Sequence, residues 1–179
     1  MSARLAFASE ALVQPRHTIL VVDDAPLMRE LGALFLGRAG RVLTAANGEE
    51  ALAVTRLEGP ELIVADVGNE GPSAPPLYPA AYPGVVAVTG VDRADKVLIE
   101  AGRGRFIAFA APGADIEAAS LPSGYSPVRG TSFAAPIVAG RLALLLERPD
   151  RVAAERAVSE LVTAAVDLGR PGRDSVYGN

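Results

Sequence analysis

Residues 132–147 carry a single charge, Arg141, before the final Glu147. Apolar side chains occupy nearly every turn of the helix this segment would form, so no polar face is left for water. A helix apolar on all sides is a buried one, and the segment therefore predicts a central helix inside a layered α/β core. Its start is marked by Gly130-Thr131-Ser132-Phe133-Ala134-Ala135-Pro136. Thr131 and Ser132 fall in the first turn, where backbone N–H groups have no intrahelical partner. A hydroxyl there serves either as a helix cap or as a nucleophile whose developing anion the helix start favours.

The chain has 179 residues, half of them hydrophobic, which is enough for one α/β domain with a sizeable core and excludes a disordered chain. Net charge is −4 and the 17 basic residues form no run, so no nucleic-acid partner is expected. There is no Cys, which removes disulfides and thiolate metal sites. Residues 1–16 lack a basic start followed by a long hydrophobic core and read as a tail, not a signal peptide. No apolar run is long enough to span a bilayer. A soluble cytoplasmic protein is expected, with no membrane contact and no specific partner. The chain holds one His, His17, and one Lys, Lys96, which narrows the choice of general base.

Thr18–Val22 is a continuous β-branched and apolar run ending in Asp23-Asp24, as in a buried parallel strand. Pro26 opens a helix to about Ala39, and Gly40 stops it. Arg41–Ala45 is a second strand. Asn47 caps a helix through Leu57, with Glu49 and Glu50 in its first turn. After Gly59-Pro60, Leu62–Ala65 is a third strand ending at Asp66. The β-α-β-α-β alternation implies parallel strands with right-handed crossovers. Beyond Val67 the pattern changes. Residues 68–83 hold five prolines and read as a loop. Gly84–Thr89 and Arg105–Ala110 are strands, with a short one expected at Val97–Ile99. Ala114–Arg129 predicts a hairpin or loop, and Arg151–Val166 an amphipathic helix.

Two resemblances divide the chain. His17-Thr18-Ile19-Leu20-Val21-Val22-Asp23-Asp24, Asn47-Gly48-Glu49-Glu50-Ala51-Leu52 and Leu62-Ile63-Val64-Ala65-Asp66 resemble the first half of a response-regulator receiver domain, which is flavodoxin-like. That resemblance makes Asp66 the phosphoacceptor. It also makes Asp23, Asp24 and Asp66 a weak Mg²⁺ site, since clustered carboxylates at strand ends repel one another unless a hard cation joins them. Thr89 would stand at the receiver's hydroxyl position. The receiver's Lys after the fifth strand is missing, because that strand ends in Ala111-Pro112-Gly113.

From about residue 62 onward the chain resembles the C-terminal half of a subtilisin-like serine protease. Gly68-Asn69-Glu70-Gly71-Pro72, Tyr82-Pro83-Gly84-Val85-Val86-Ala87-Val88, Ala110-Ala111-Pro112-Gly113 and residues 130–140 occur in that family's order. This resemblance makes Ser132 the nucleophile, Asn69 an oxyanion donor and Asp23 the position of the triad Asp. The family's Asp-Thr-Gly and His-Gly-Thr motifs are absent from these residues. His17 precedes the first strand, at the edge opposite the one where Ser132 belongs. A five-residue strand spans roughly 16 Å, which is too far for a hydrogen bond.

Together the resemblances imply a recombined chain, by construction or by natural fusion, joined near Leu62–Val67. Residues 17–66 would be receiver-like and 67–179 subtilisin-like, within one doubly wound three-layer α/β/α domain whose mainly parallel sheet has about five strands. No efficient catalysis is expected without the triad His, and no cofactor is required. Two alternatives remain open: residual serine peptidase or esterase activity at Ser132, and a Mg²⁺-dependent phospho-receiver at Asp66.

Overall fold

The computed structural model describes residues 18–22, 26, 29–30, 33–34, 41–119, 124–146 and 150–179. The chain divides into two compact units, residues 1–57 and 58–179. The division falls ahead of the junction expected near Leu62–Val67.

In the first unit β1 (Thr18–Val22) and β2 (Arg41–Ala45) pair in parallel, from Thr18 opposite Arg41 to Val22 opposite Ala45. A parallel pair needs a crossover rather than a tight turn. Most of the expected helix from Pro26 to about Ala39 lies outside the described residues. α1 (Gly48–Glu58) begins as the sequence predicts. Asn47 Oδ1 accepts the Glu50 N–H at 2.9 Å, and the Glu50 carboxylate reaches back to the Ala46 N–H at 2.8 Å. The reciprocal bonds satisfy two donors that the helix itself leaves unpaired.

In the second unit β3 (Val64–Asp66), β4 (Val86–Val91) and β5 (Ile107–Pro112) form a parallel sheet in the order β3-β4-β5. Every residue of the central strand β4 is buried. Side chains of a strand alternate between faces, and here they feed two clusters. Val86 and Val88 pack with Phe109 and Ala111, and with Ala134, Val138 and Leu142 of α2 (Thr131–Leu145). Ala87 and Ile107 pack on the other cluster with Val67, Leu98 and Ala101. Ala157 of α3 (Arg151–Ala164) completes the first cluster. β6 (Ala114–Ala119) and β7 (Tyr125–Arg129) form the expected hairpin, antiparallel from Ala114 opposite Arg129 to Ala119 opposite Tyr125. The strand expected at Val97–Ile99 is reduced to one bridge, Val97 to Val91.

The fold is mixed α/β with parallel sheets and helices, as expected. A single sheet of about five strands is not what the described residues form. Their ladders are β1-β2, β3-β4-β5 and the antiparallel β6-β7. The expectation that α2 is buried on all sides is also corrected. Its buried residues are Thr131, Ala134, Val138 and Leu142, a single stripe at spacings of three and four. Ile137 is 39% exposed and Leu144 85% exposed. A helix lying on one sheet face buries only the stripe turned toward it. Among the described residues, no helix is long and apolar enough to cross a membrane.

Candidate functional site

Three chain segments meet where the strands of the second unit end. β3 finishes at Asp66, and the Val67 N–H still donates to Val88 O of β4 at 3.0 Å, so the ladder runs directly into the Gly68-Asn69 turn. That turn is fixed from outside. Gly102 N–H donates to Gly68 O at 3.1 Å and Gly71 N–H to Glu100 O at 2.7 Å. A Cβ on Gly102 would lie 2.5 Å from Val67 O, so only glycine lets the two loops approach this closely. Arg103 holds the same loop, its guanidinium donating to the carbonyls of Leu98 and Ala101. Burial pushes the Arg103 guanidinium below its ordinary value. Arg129, the last residue of β7, binds Glu100 through two hydrogen bonds of 2.7 and 3.0 Å. The pair raises the Arg129 guanidinium and lowers the Glu100 carboxyl relative to their ordinary values.

α2 arrives at the same place through Gly130, whose N–H donates to Gly113 O at 2.7 Å just after β5. Gly130 has φ 146°, in the region that favours glycine, and it is the helix N-cap without a side-chain cap bond. The sequence alternatives of Ser132 or Thr131 as the cap are therefore both displaced by one residue or more. The cap comes instead from Asn69, 62 residues away, whose Oδ1 accepts the Thr131 N–H at 3.1 Å. This bond orients the Asn69 amide. Its oxygen faces Thr131, so its NH₂ is left to donate elsewhere, and it has no partner among the described residues. Phe133 N–H donates to Gly130 O at 3.2 Å, whereas the Ser132 N–H has no partner among the described residues. Ser132 and Asn69 are both exposed. The site thus presents a hydroxyl, a side-chain amide and a helix-start N–H together, the donor set that stabilises an oxyanion.

Asp66 is engaged differently from the sequence expectation. Its Oδ1 accepts the Thr131 hydroxyl at 2.7 Å and the Gly68 N–H at 2.9 Å. Thr131 is 0% exposed, so the hydroxyl that has a carboxylate in reach is one a substrate does not touch. Thr89, assigned to the receiver's hydroxyl position, is fully buried in β4, and its Oγ1 has no hydrogen-bond partner among the described residues. Asp23, Asp24 and His17 lie outside the described residues, so the triad-Asp position and most of the Mg²⁺ site lie there too. Among the described residues, no group of three His, Cys, Asp or Glu side chains is placed to hold a metal ion. Sequence reasoning missed the Glu100–Arg129 pair and the loop at Gly102. Their only sequence trace is an isolated Gly-Arg-Gly within a polar stretch.

The Subtilase family model matches residues 37–179. The chain belongs to the subtilase family. The match takes in β2, α1 and β3, so the subtilase family covers residues 37–66 as well, and the comparisons give no support to a receiver-like half or to a recombination at Leu62–Val67. The receiver resemblance rested on strand-end acids and a helix start, which any parallel α/β unit can share. Among relatives, this subtilase is 37% identical over 117 residues to the minor extracellular protease Epr of Bacillus subtilis, covering 65% of this chain and 18% of that protein. It is 33% identical over 119 residues to subtilisin DY of Bacillus licheniformis, covering 65% and 42%. The chain therefore spans less than half the length of these relatives. The solved structure of the prenylagaramide maturation protease PagA superposes with a TM-score of 0.55 at 31% identity, covering 68% of this chain and 46% of that one. A lanthipeptide protease matches with a TM-score of 0.66 at 16% identity over 92% of this chain and 85% of that one, and shares the fold.

Proposed function

We propose that the chain carries the nucleophile and oxyanion donors of a subtilase serine peptidase. Ser132 Oγ attacks a carbonyl carbon, and the oxygen that becomes negative is held by Asn69 Nδ2 and the Ser132 N–H. The acyl group stays on Ser132 and the amine leaves with a proton. The observation that carries this reading is the 3.1 Å bond from Thr131 N–H to Asn69 Oδ1, which sets a donor amide beside the helix start bearing the serine. Membership of the subtilase family supports the roles of both residues. Turnover by these 179 residues is expected to be slow. Their one histidine is His17, and a serine hydroxyl without an adjacent base is a weak nucleophile. In subtilisin itself, removing the serine or the histidine costs about 10⁶-fold in kcat.

A fluorophosphonate tests the nucleophile directly: the Ser132 Oγ–P bond forms, fluoride leaves and the proton passes to water. Slow labelling to one equivalent, abolished in Ser132→Ala, is the expected result, with peptide turnover near background. Labelling that persists in Ser132→Ala overturns the assignment, as does an unlabelled wild type after prolonged exposure.

A further inference from the structure

Asp66 has no part in the chemistry proposed above, yet one of its oxygens touches both halves of the site. Oδ1 accepts from the Gly68 N–H, in the turn that carries Asn69, and from Thr131 Oγ1, on the residue preceding Ser132. The two contacts bridge 65 residues of sequence, and the Thr131 end is fully buried. The Asn69 amide spans the same gap through a single bond, Thr131 N–H to Asn69 Oδ1, on an exposed side chain. One hydrogen bond to a neutral amide is a weak tie for holding two loops in one register. A carboxylate that receives two donors, one of them buried, is the stronger tie.

We infer that Asp66 is a positioning residue: its carboxylate sets the distance between the oxyanion donor Asn69 and the nucleophile Ser132. Thr131 is its partner in that role, presenting its hydroxyl to β3 and its N–H to Asn69. Asp66 acts through acceptor geometry rather than through charge. Asp66→Asn keeps an oxygen that can accept both donors, whereas Asp66→Ala keeps none. The inference deepens the serine-peptidase reading and rests on it for its consequence in catalysis, but the tie itself is measurable without any reaction.

Two readouts separate the inference from that reading. The Thr131 amide reports the Asn69 contact by hydrogen exchange, with no chemistry involved. Protection at Thr131 is expected in wild type and in Asp66→Asn, and lost by tenfold or more in Asp66→Ala and in the near-isosteric Thr131→Val. Fluorophosphonate labelling of Ser132 is expected to follow the same order, with Asp66→Ala and Thr131→Val slowed by about tenfold or more and Asp66→Asn retaining most of the wild-type rate, since small displacements of a site group cost one to two orders of magnitude. Thr131→Ser, which keeps the hydroxyl, should preserve both readouts. Unchanged Thr131 exchange in Asp66→Ala overturns the inference. So does a loss in Asp66→Asn as large as in Asp66→Ala, because charge rather than acceptor geometry would then be responsible. If exchange follows the expected order while the wild type is never labelled, Asp66 keeps its positioning role and the nucleophile assignment fails. Circular dichroism of each variant identifies any that do not fold, and Thr131→Val carries the test if Asp66→Ala is among them.

Discussion

The amide of Asn69 has two ends, and the site uses them for different purposes. Its oxygen caps α2 through Thr131, and its nitrogen is the proposed oxyanion donor. Asn69→Asp separates the two, because an aspartate keeps an acceptor for Thr131 and loses the donor. Acylation of Ser132 is expected to fall by about 10²–10³-fold in Asn69→Asp, with an unchanged thermal midpoint. Undiminished labelling in Asn69→Asp, with the midpoint unchanged, would show that the residue is a cap alone. Gly102 lies at the same scale. Its Cβ would meet Val67 O at 2.5 Å, so Gly102→Ala forces the two loops apart and is expected to cost about 1–3 kcal/mol. Thermal melts check this, and an unaffected midpoint contradicts it. The sequence made Ser132 and Asn69 visible because they sit in short patterns with recognisable neighbours. Thr131 was visible only as a rival cap, and the Asp66 contact not at all, since its partner lies 65 residues away.

Elements follow the sequence where their ends are chemically marked. Asp150 caps α3, its side chain accepting the Ala153 N–H at 2.8 Å, and α1 is opened by Asn47 and Glu50. Asp150→Ala is expected to cost about 1 kcal/mol and to lower the thermal midpoint by a few degrees in a chain of this size. A midpoint within error of wild type would falsify the cap assignment. α2 departs from this rule: it begins on a glycine and contains Pro136, which lacks the N–H that would pair with the Ser132 carbonyl. Its start is specified by Gly113 and Asn69, so local capping rules placed it a residue late. The ends of β4 and β5 shifted by two residues for a similar reason. β4 and β5 run further toward the site than their apolar runs suggested, because Gly90, Val91 and Ala111 remain in the ladder.

Across the second unit, the same carboxylates that tie loops together also set its response to acid. Asp174 is held below the ordinary carboxylate range by the N–H groups of Tyr177, Val176 and Arg170, and Glu100 by Arg129. Backbone N–H bonds, those of Lys96 and Ala94, lower Asp92 as well. Groups with lowered folded values stabilise fully above the ordinary range and lose that contribution as pH falls through the lowered values. The thermal midpoint is therefore expected to stay level from neutral pH to about pH 5 and to decline below about pH 4. Asp174→Asn should flatten the decline, and a wild-type midpoint that is level to about pH 2 would exclude the effect.

The sequence alone determined the periodicities, the helix cap at Asn47 and the serine motif. Each of these is written in residues a few positions apart, where local sterics and hydrogen bonding act. Only the tertiary structure decided that α2 buries one stripe, that the strands form separate ladders and that Asp66 clasps Thr131. Those outcomes depend on which surfaces meet after distant segments fold together, and a side chain's partner across 65 residues has no local signature.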